Sequence, residues 1–96
     1  MNMSNTNQQS STYVCKIVES TVFIEEMGNV IVYGINMYNS NKELAELDGE
    51  HCCIEDISED FEKVERLRKL LVEYDVYPVH LKDIVEDFLA AYKVDY

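Results

Sequence analysis

His51, Cys52, Cys53 and His80 are the side chains able to hold a metal ion or attack a substrate. Zinc sites draw their ligands from spaced pairs, commonly of the Cys-x2-4-Cys type. Adjacent cysteines in a strand point to opposite faces, so Cys52 and Cys53 do not readily share one ion. His51 and Cys53 fall on one face, and Cys15 could join them only across a sheet, an arrangement that no motif specifies. Thiol catalysis needs a cysteine beside a base that a third group orients. His51 points away from Cys52, and His80 sits in the first turn of a helix, where the dipole disfavours its protonated form. The better reading is buried thiols and a surface histidine, because free cysteine is among the most buried residue types. Gly28, Gly34 and Gly49 are isolated, so no phosphate-cradling loop is present. No catalytic residue, metal or cofactor is expected.

Asp83, Glu86 and Asp87 form an i, i+3, i+4 carboxylate group, and Glu55, Asp56, Glu59 and Asp60 form another. EF-hand spacing is absent. Such groups are ordinarily the solvated face of an amphipathic helix; the functional alternative is a docking patch for a basic partner. The chain also has seven tyrosines and no tryptophan, and Tyr74, Tyr77, Tyr92 and Tyr96 lie in its C-terminal third. Tyrosine suits interfaces because it brings apolar area with a polar tip. Its competing role is core packing, which fits Tyr74 and Tyr92. Tyr77, His80, Asp83, Glu86, Asp87 and Tyr96 are the protein-binding set that this pattern predicts.

Nineteen acidic residues face eight basic ones, for a net charge of −11 over 96 residues. Residues 1–54 carry seven acids against two lysines, and residues 55–96 carry twelve against six. The excess is thus a property of the whole surface. It repels phosphate backbones and disfavours direct nucleic-acid binding. No signal peptide opens the chain and no run approaches a membrane span, so a cytoplasmic protein with reduced thiols is expected. A chain this short forms one small domain.

Those residues need elements to position them. Residues 1–11 are low-complexity and polar, and a disordered leader is expected there, with one domain over 12–96. Period-two patterns predict a strand over 12–19, a second short run from Thr21 to Glu26, a turn at Met27-Gly28-Asn29, and a strand from Val30 to Tyr38. Ile31, Tyr33, Ile35 and Met37 make its apolar face. Gly34 within it suggests a bulge or a close backbone approach. Asn39 to Lys42 reads as a turn. Asp48-Gly49 could close a hairpin, or Leu44 and Leu47 a helical turn, before an extended Glu50–Ile54.

Ser58, or a capping box of Asp56 with Glu59, starts the first long helix. Phe61, Val64, Leu67, Leu70, Leu71 and Tyr74 are its predicted buried stripe, with Glu62–Arg66 and Glu65–Lys69 pairs outside. Pro78, the only proline, suits the first position of a second helix whose core face is Leu81, Ile84, Val85, Phe88, Leu89 and Tyr92. The expected fold is α+β: an antiparallel sheet of 3–4 strands, then an antiparallel helical hairpin packed on one face.

Val-Ile-Val-Tyr-Gly-Ile, Ile-Glu-Asp-Ile-Ser and Val-Tyr-Pro-Val-His-Leu-Lys-Asp-Ile-Val-Glu-Asp-Phe-Leu together resemble a family of short, uncharacterised proteins found mainly in clostridia and their relatives. The similarity spans about residues 13–93 and is most specific at Tyr33-Gly34-Ile35, Asp56-Ile57-Ser58 and Pro78–Leu89. It implies a bacterial cytoplasmic protein and carries no activity with it. In that family a capping serine is expected before the proline. Here the position is Tyr77, so either Asp75 caps a shifted helix or the helix starts uncapped.

Three functions fit. The first is a non-catalytic interaction or regulatory module that binds a protein partner of basic character, with homodimerisation through an open sheet face or edge. The second is a nucleic-acid mimic from a phage or mobile element. The lysines and arginines interleaved in the first long helix count against it. The third is a small metal- or thiol-dependent protein using His51, Cys52, Cys53 or His80.

Overall fold

The computed structural model describes residues 12–93, with side chains through residue 91. The polar leader expected over 1–11, and Tyr96, lie outside these residues. Strand β1 runs Tyr13–Ile24, β2 Gly28–Asn39 and β3 His51–Ser58; helix α1 is Lys42–Ala45 and α2 Phe61–Glu73. A single 3-10 turn, Pro78–His80, leads into α3, Leu81–Lys93. The three strands form one antiparallel sheet in the order β1-β2-β3. The class is α+β, with three strands in the sheet.

The two β-prone runs expected between Thr12 and Glu26 are one strand of 12 residues. Pairing explains this. β2 binds β1 without interruption from Tyr13↔Asn39 to Ile24↔Gly28, so Ser20 is held in the ladder despite its modest β propensity. The turn falls at residues 25–27, earlier than Met27-Gly28-Asn29. The Met27 N–H donates to the Ile24 carbonyl at 2.9 Å, and Gly28 takes φ +81° as the first residue of β2. This is a three-residue hairpin loop closed by a glycine in the left-handed region.

β3 pairs with β2 in one register from Tyr38↔His51 to Ile35↔Ile54, then shifts so that Tyr33 faces Ser58. Three residues of β3 thus stand against Gly34 alone. A Cβ on Gly34 would collide with the Ile54 carbonyl oxygen and lie 2.6 Å from that of Glu55. The bulge and the close approach expected at Gly34 are both present.

Ile35, Met37, Ile57, Val64, Leu67, Leu71, Leu81 and Val85 form the buried core. Burying one such side chain contributes about 1.5–3 kcal/mol. α2 lies over the sheet, and the Pro78 turn and α3 lie against β3. The predicted stripes need correction at their ends. Val64, Leu67 and Leu71 are buried, but Phe61 is 47% exposed, Leu70 37% and Tyr74 69%. The sheet sits under one side of the helix only, so a stripe drawn from periodicity is wider than the surface available to cover it. Ile31, expected in the core, is 47% exposed; it pairs with Thr21 toward the hairpin tip and is not part of the core cluster.

β3 continues to Ser58, so the helix starts later than Ser58 or Asp56 would set it. Asp60 is the N-cap, accepting from the Glu62 and Lys63 N–H groups at 3.0 and 3.4 Å. Ser58 Oγ instead accepts from the Asp60 N–H at 3.0 Å, turning the chain from strand to helix. Glu65 binds Arg68, three residues on, rather than the expected Lys69, in a two-pronged, part-buried pair at 2.9 and 3.1 Å.

At the other end of α2 the Val76 N–H bonds to the Leu71 carbonyl and the Asp75 N–H to that of Val72. This is a Schellman ending, with Asp75 at φ 55° in the position that favours glycine. Asp75 therefore closes α2 rather than capping the next helix. The following turn starts at Tyr77 with no side-chain cap and Pro78 in its first turn. Asp75→Gly should raise stability by about 1 kcal/mol, removing both left-handed strain and an anion from a helix C-terminus. A higher urea midpoint at unchanged slope is the expected reading.

Candidate functional site

The N-terminal end of β1 and the chain leading into α1 are tied by one polar network. Asn39, the one buried polar side chain among the described residues, donates to Glu50 at 2.7 Å and accepts from the Asn41 N–H at 2.8 Å. The Tyr13 hydroxyl donates to both Glu50 oxygens, at 3.0 and 3.2 Å. Asn41 in turn caps α1, accepting from the Glu43 and Leu44 N–H groups. The Tyr77 ring packs on Tyr13, with centroids 5.3 Å apart. Tyr77 is thereby seated on a hydrogen-bonded platform, yet remains 54% exposed.

From that seat Tyr77 lines a groove of about 330 Å³ with Tyr74, Asp75, Val76, His80 and Ile84. Its lining runs from the Schellman turn that ends α2, past the turn around Pro78, to the first turn of α3. Two of the predicted binding residues, Tyr77 and His80, thus meet in one place. Asp83 and Asp87 are exposed one turn apart on α3, as is Glu86. Glu86 borders a different groove, of about 400 Å³, with Cys52, Cys53, Ile54, Lys82 and Val85. Asp83 and Asp87 line neither groove. Tyr74 and Val79, at 69% and 61% exposure, were missed as surface residues. The signal for them was the Tyr-Asp-Val-Tyr-Pro order, which forces a sharp turn and ends the buried stripe early.

Neither histidine joins Cys52 and Cys53 in the groove they line. Cys52 packs toward the core, but Cys53 is exposed rather than the buried thiol expected, because adjacent strand residues face opposite sides of the sheet. His51 donates its Nδ1 proton to the Ala45 carbonyl at 2.7 Å, which fixes its tautomer and ties β3 to α1. No group of three or more metal-ligating side chains occurs among the described residues. Burial pushes the Cys15 thiol up to about 11, and partial desolvation of the exposed Cys53, followed by the nearby Glu55, raises that thiol too. Both shifts run opposite to those of a nucleophilic thiolate.

These shifts give a pH prediction. Burial first, and then the bond to Glu50, also raises the Tyr13 hydroxyl above its ordinary 10.0. A folded state that holds protons more tightly than the unfolded chain loses stability as pH rises. The Cys15 contribution is intact below its ordinary value of 9.0 and is lost as pH climbs toward 11. Melting temperature should fall over that window, and the fall should be shallower in Cys15→Ala.

No described helix is long and apolar enough to cross a membrane. Among known proteins, a family described only as a family of unknown function (DUF6514) matches residues 1–91. No curated protein and no solved structure matches the chain.

Proposed function

We propose that this chain, which belongs to that family of unknown function, is a non-catalytic module that binds a segment of another protein in the Tyr74–Ile84 groove. The observation that carries the reading is the pair Tyr74 and Tyr77. Both are more than half exposed beside a concave surface, and Tyr77 is already seated on Tyr13. A preorganised aromatic at the centre of a groove is the kind of residue that dominates binding energy. Asp75 on the groove wall, with Asp83 and Asp87 on the adjoining helix, would favour a segment carrying lysine or arginine beside its apolar anchor. In this reading α2 and α3 form an antiparallel hairpin, and the groove lies at its connection. The protein acts in the cytoplasm.

The test is capture of partners from lysate of the source cell, at low and high salt, with native protein and two variants. Tyr77→Ala should lose the specific partner by at least about tenfold, since hot-spot truncations cost roughly 2 kcal/mol or more. Replacing Asp83, Glu86 and Asp87 with their amides should mainly slow association. Equal capture by native protein and Tyr77→Ala, with unchanged circular dichroism, would overturn the reading. A crowd of nucleic-acid-binding proteins, all lost at high salt, would favour a charge-driven nucleic-acid mimic instead.

A further inference from the structure

Beyond Tyr33 the outer edge of β2 has no strand beside it among the described residues. β3 pairs with β2 only from Tyr33 to Tyr38, whereas β1 follows β2 to Gly28. The Asn39 N–H donates to the Glu50 carbonyl, so odd-numbered β2 residues turn their backbone groups toward the β3 side. The unbroken β1 ladder carries that alternation to the hairpin tip. The N–H and C=O groups of Asn29 and Ile31 therefore point out of the sheet edge, which is a template for another strand.

The side chains there are apolar. Phe23 is 70% exposed, Met27 60% and Ile31 47%. Thr21 faces Ile31 in the ladder, which makes Phe23 and Ile31 diagonal neighbours on one face, and Val22 faces Val30 on the other.

Charge decides what fits this edge. The chain carries a net charge of −11, yet no charged side chain lies between residues 27 and 41. A basic partner finds no acid in that stretch to pair with. A second copy carries the same net charge and is repelled everywhere except at such an uncharged surface.

We propose that two copies join by pairing residues 28–32 of β2 antiparallel across a two-fold axis at Val30, giving a continuous six-stranded sheet. In that register Asn29 of each copy exchanges backbone hydrogen bonds with Ile31 of the other. Val30 stands opposite Val30, flanked by Val22 on each side, a favourable β-branched pairing. The two-fold axis places Glu25 and Glu26 of the two copies at opposite ends of the paired segment, so their charges do not meet. The interface is isologous and closed, and leaves the Tyr77 groove outside it.

Light scattering on the full chain across a dilution series tests this. The native protein should show the mass of a dimer that halves on dilution. Ile31→Lys should show monomer mass at every concentration with unchanged circular dichroism, while Tyr77→Ala should leave the dimer intact. Hydrogen exchange on the native protein gives a readout that needs no variant: the Asn29 and Ile31 amides should slow as concentration rises. A native protein that stays monomeric throughout overturns the proposal. So does a dimer in which these two amides exchange at the same rate at every concentration.

Discussion

Gly34→Ala is expected to destabilise the fold by about 3 kcal/mol or more, the upper range for overpacking. The added methyl has no route of escape. It meets the backbone of Ile54 and Glu55, where no side-chain rotation can relieve the contact. Relief requires β3 to move away from β2, which breaks the ladder between Tyr33 and Ile35 and shifts Ile57 out of the core. For a domain of this size a loss of 3 kcal/mol lowers the melting temperature by roughly 12–24 °C. Gly49→Ala is the control. Gly49 has φ +85° and open space around it, so it carries backbone strain alone, about 1 kcal/mol. Thermal unfolding of both variants by circular dichroism separates the two causes. Equal, small shifts would mean that β3 does not press on β2 at Gly34.

Leu67→Ala should cost about 3 kcal/mol, and Leu70→Ala no more than about 1 kcal/mol. The residues are three apart on the same helix and of the same type, and a periodic stripe treats them alike. Leu67 is fully buried among the strands' core side chains, while Leu70 is 37% exposed. Truncating Leu67 leaves a cavity that the sheet cannot collapse to fill. Chemical denaturation of the two variants measures the difference directly. If Leu70→Ala were the more damaging, α2 would be rotated about its axis from the orientation described here.

Much of the fold was legible in local pattern. The α+β class, the β2 strand, the bulge at Gly34 and the long helices follow from periodicity and from single glycines and prolines, because those features act over a few residues. The ends of elements were less legible. Asp60 rather than Ser58 caps α2 because β3 keeps its pairing with β2 through Ser58, a non-local choice. Asp75 closes α2 with positive φ because Val76 is drawn into the core, a position glycine would have announced.

The candidate groove was half legible. Tyr77 and His80 stood out by type and by their place around Pro78, whereas Tyr74 was read as core and Val79 was not singled out. Asp83, Glu86 and Asp87 share a helical spacing and are all exposed, but only Glu86 borders a groove.

The sequence by itself determined composition, charge, period and punctuation: a small acidic α+β chain whose two long helices are separated at Pro78. Only the tertiary structure decided which parts of each apolar stripe are covered. It put Leu67 under the sheet and left Phe23, Ile31 and Tyr74 outside. Amphipathic period states that a face can be buried, but burial needs a second surface, and its extent is set by where the strands pair and end.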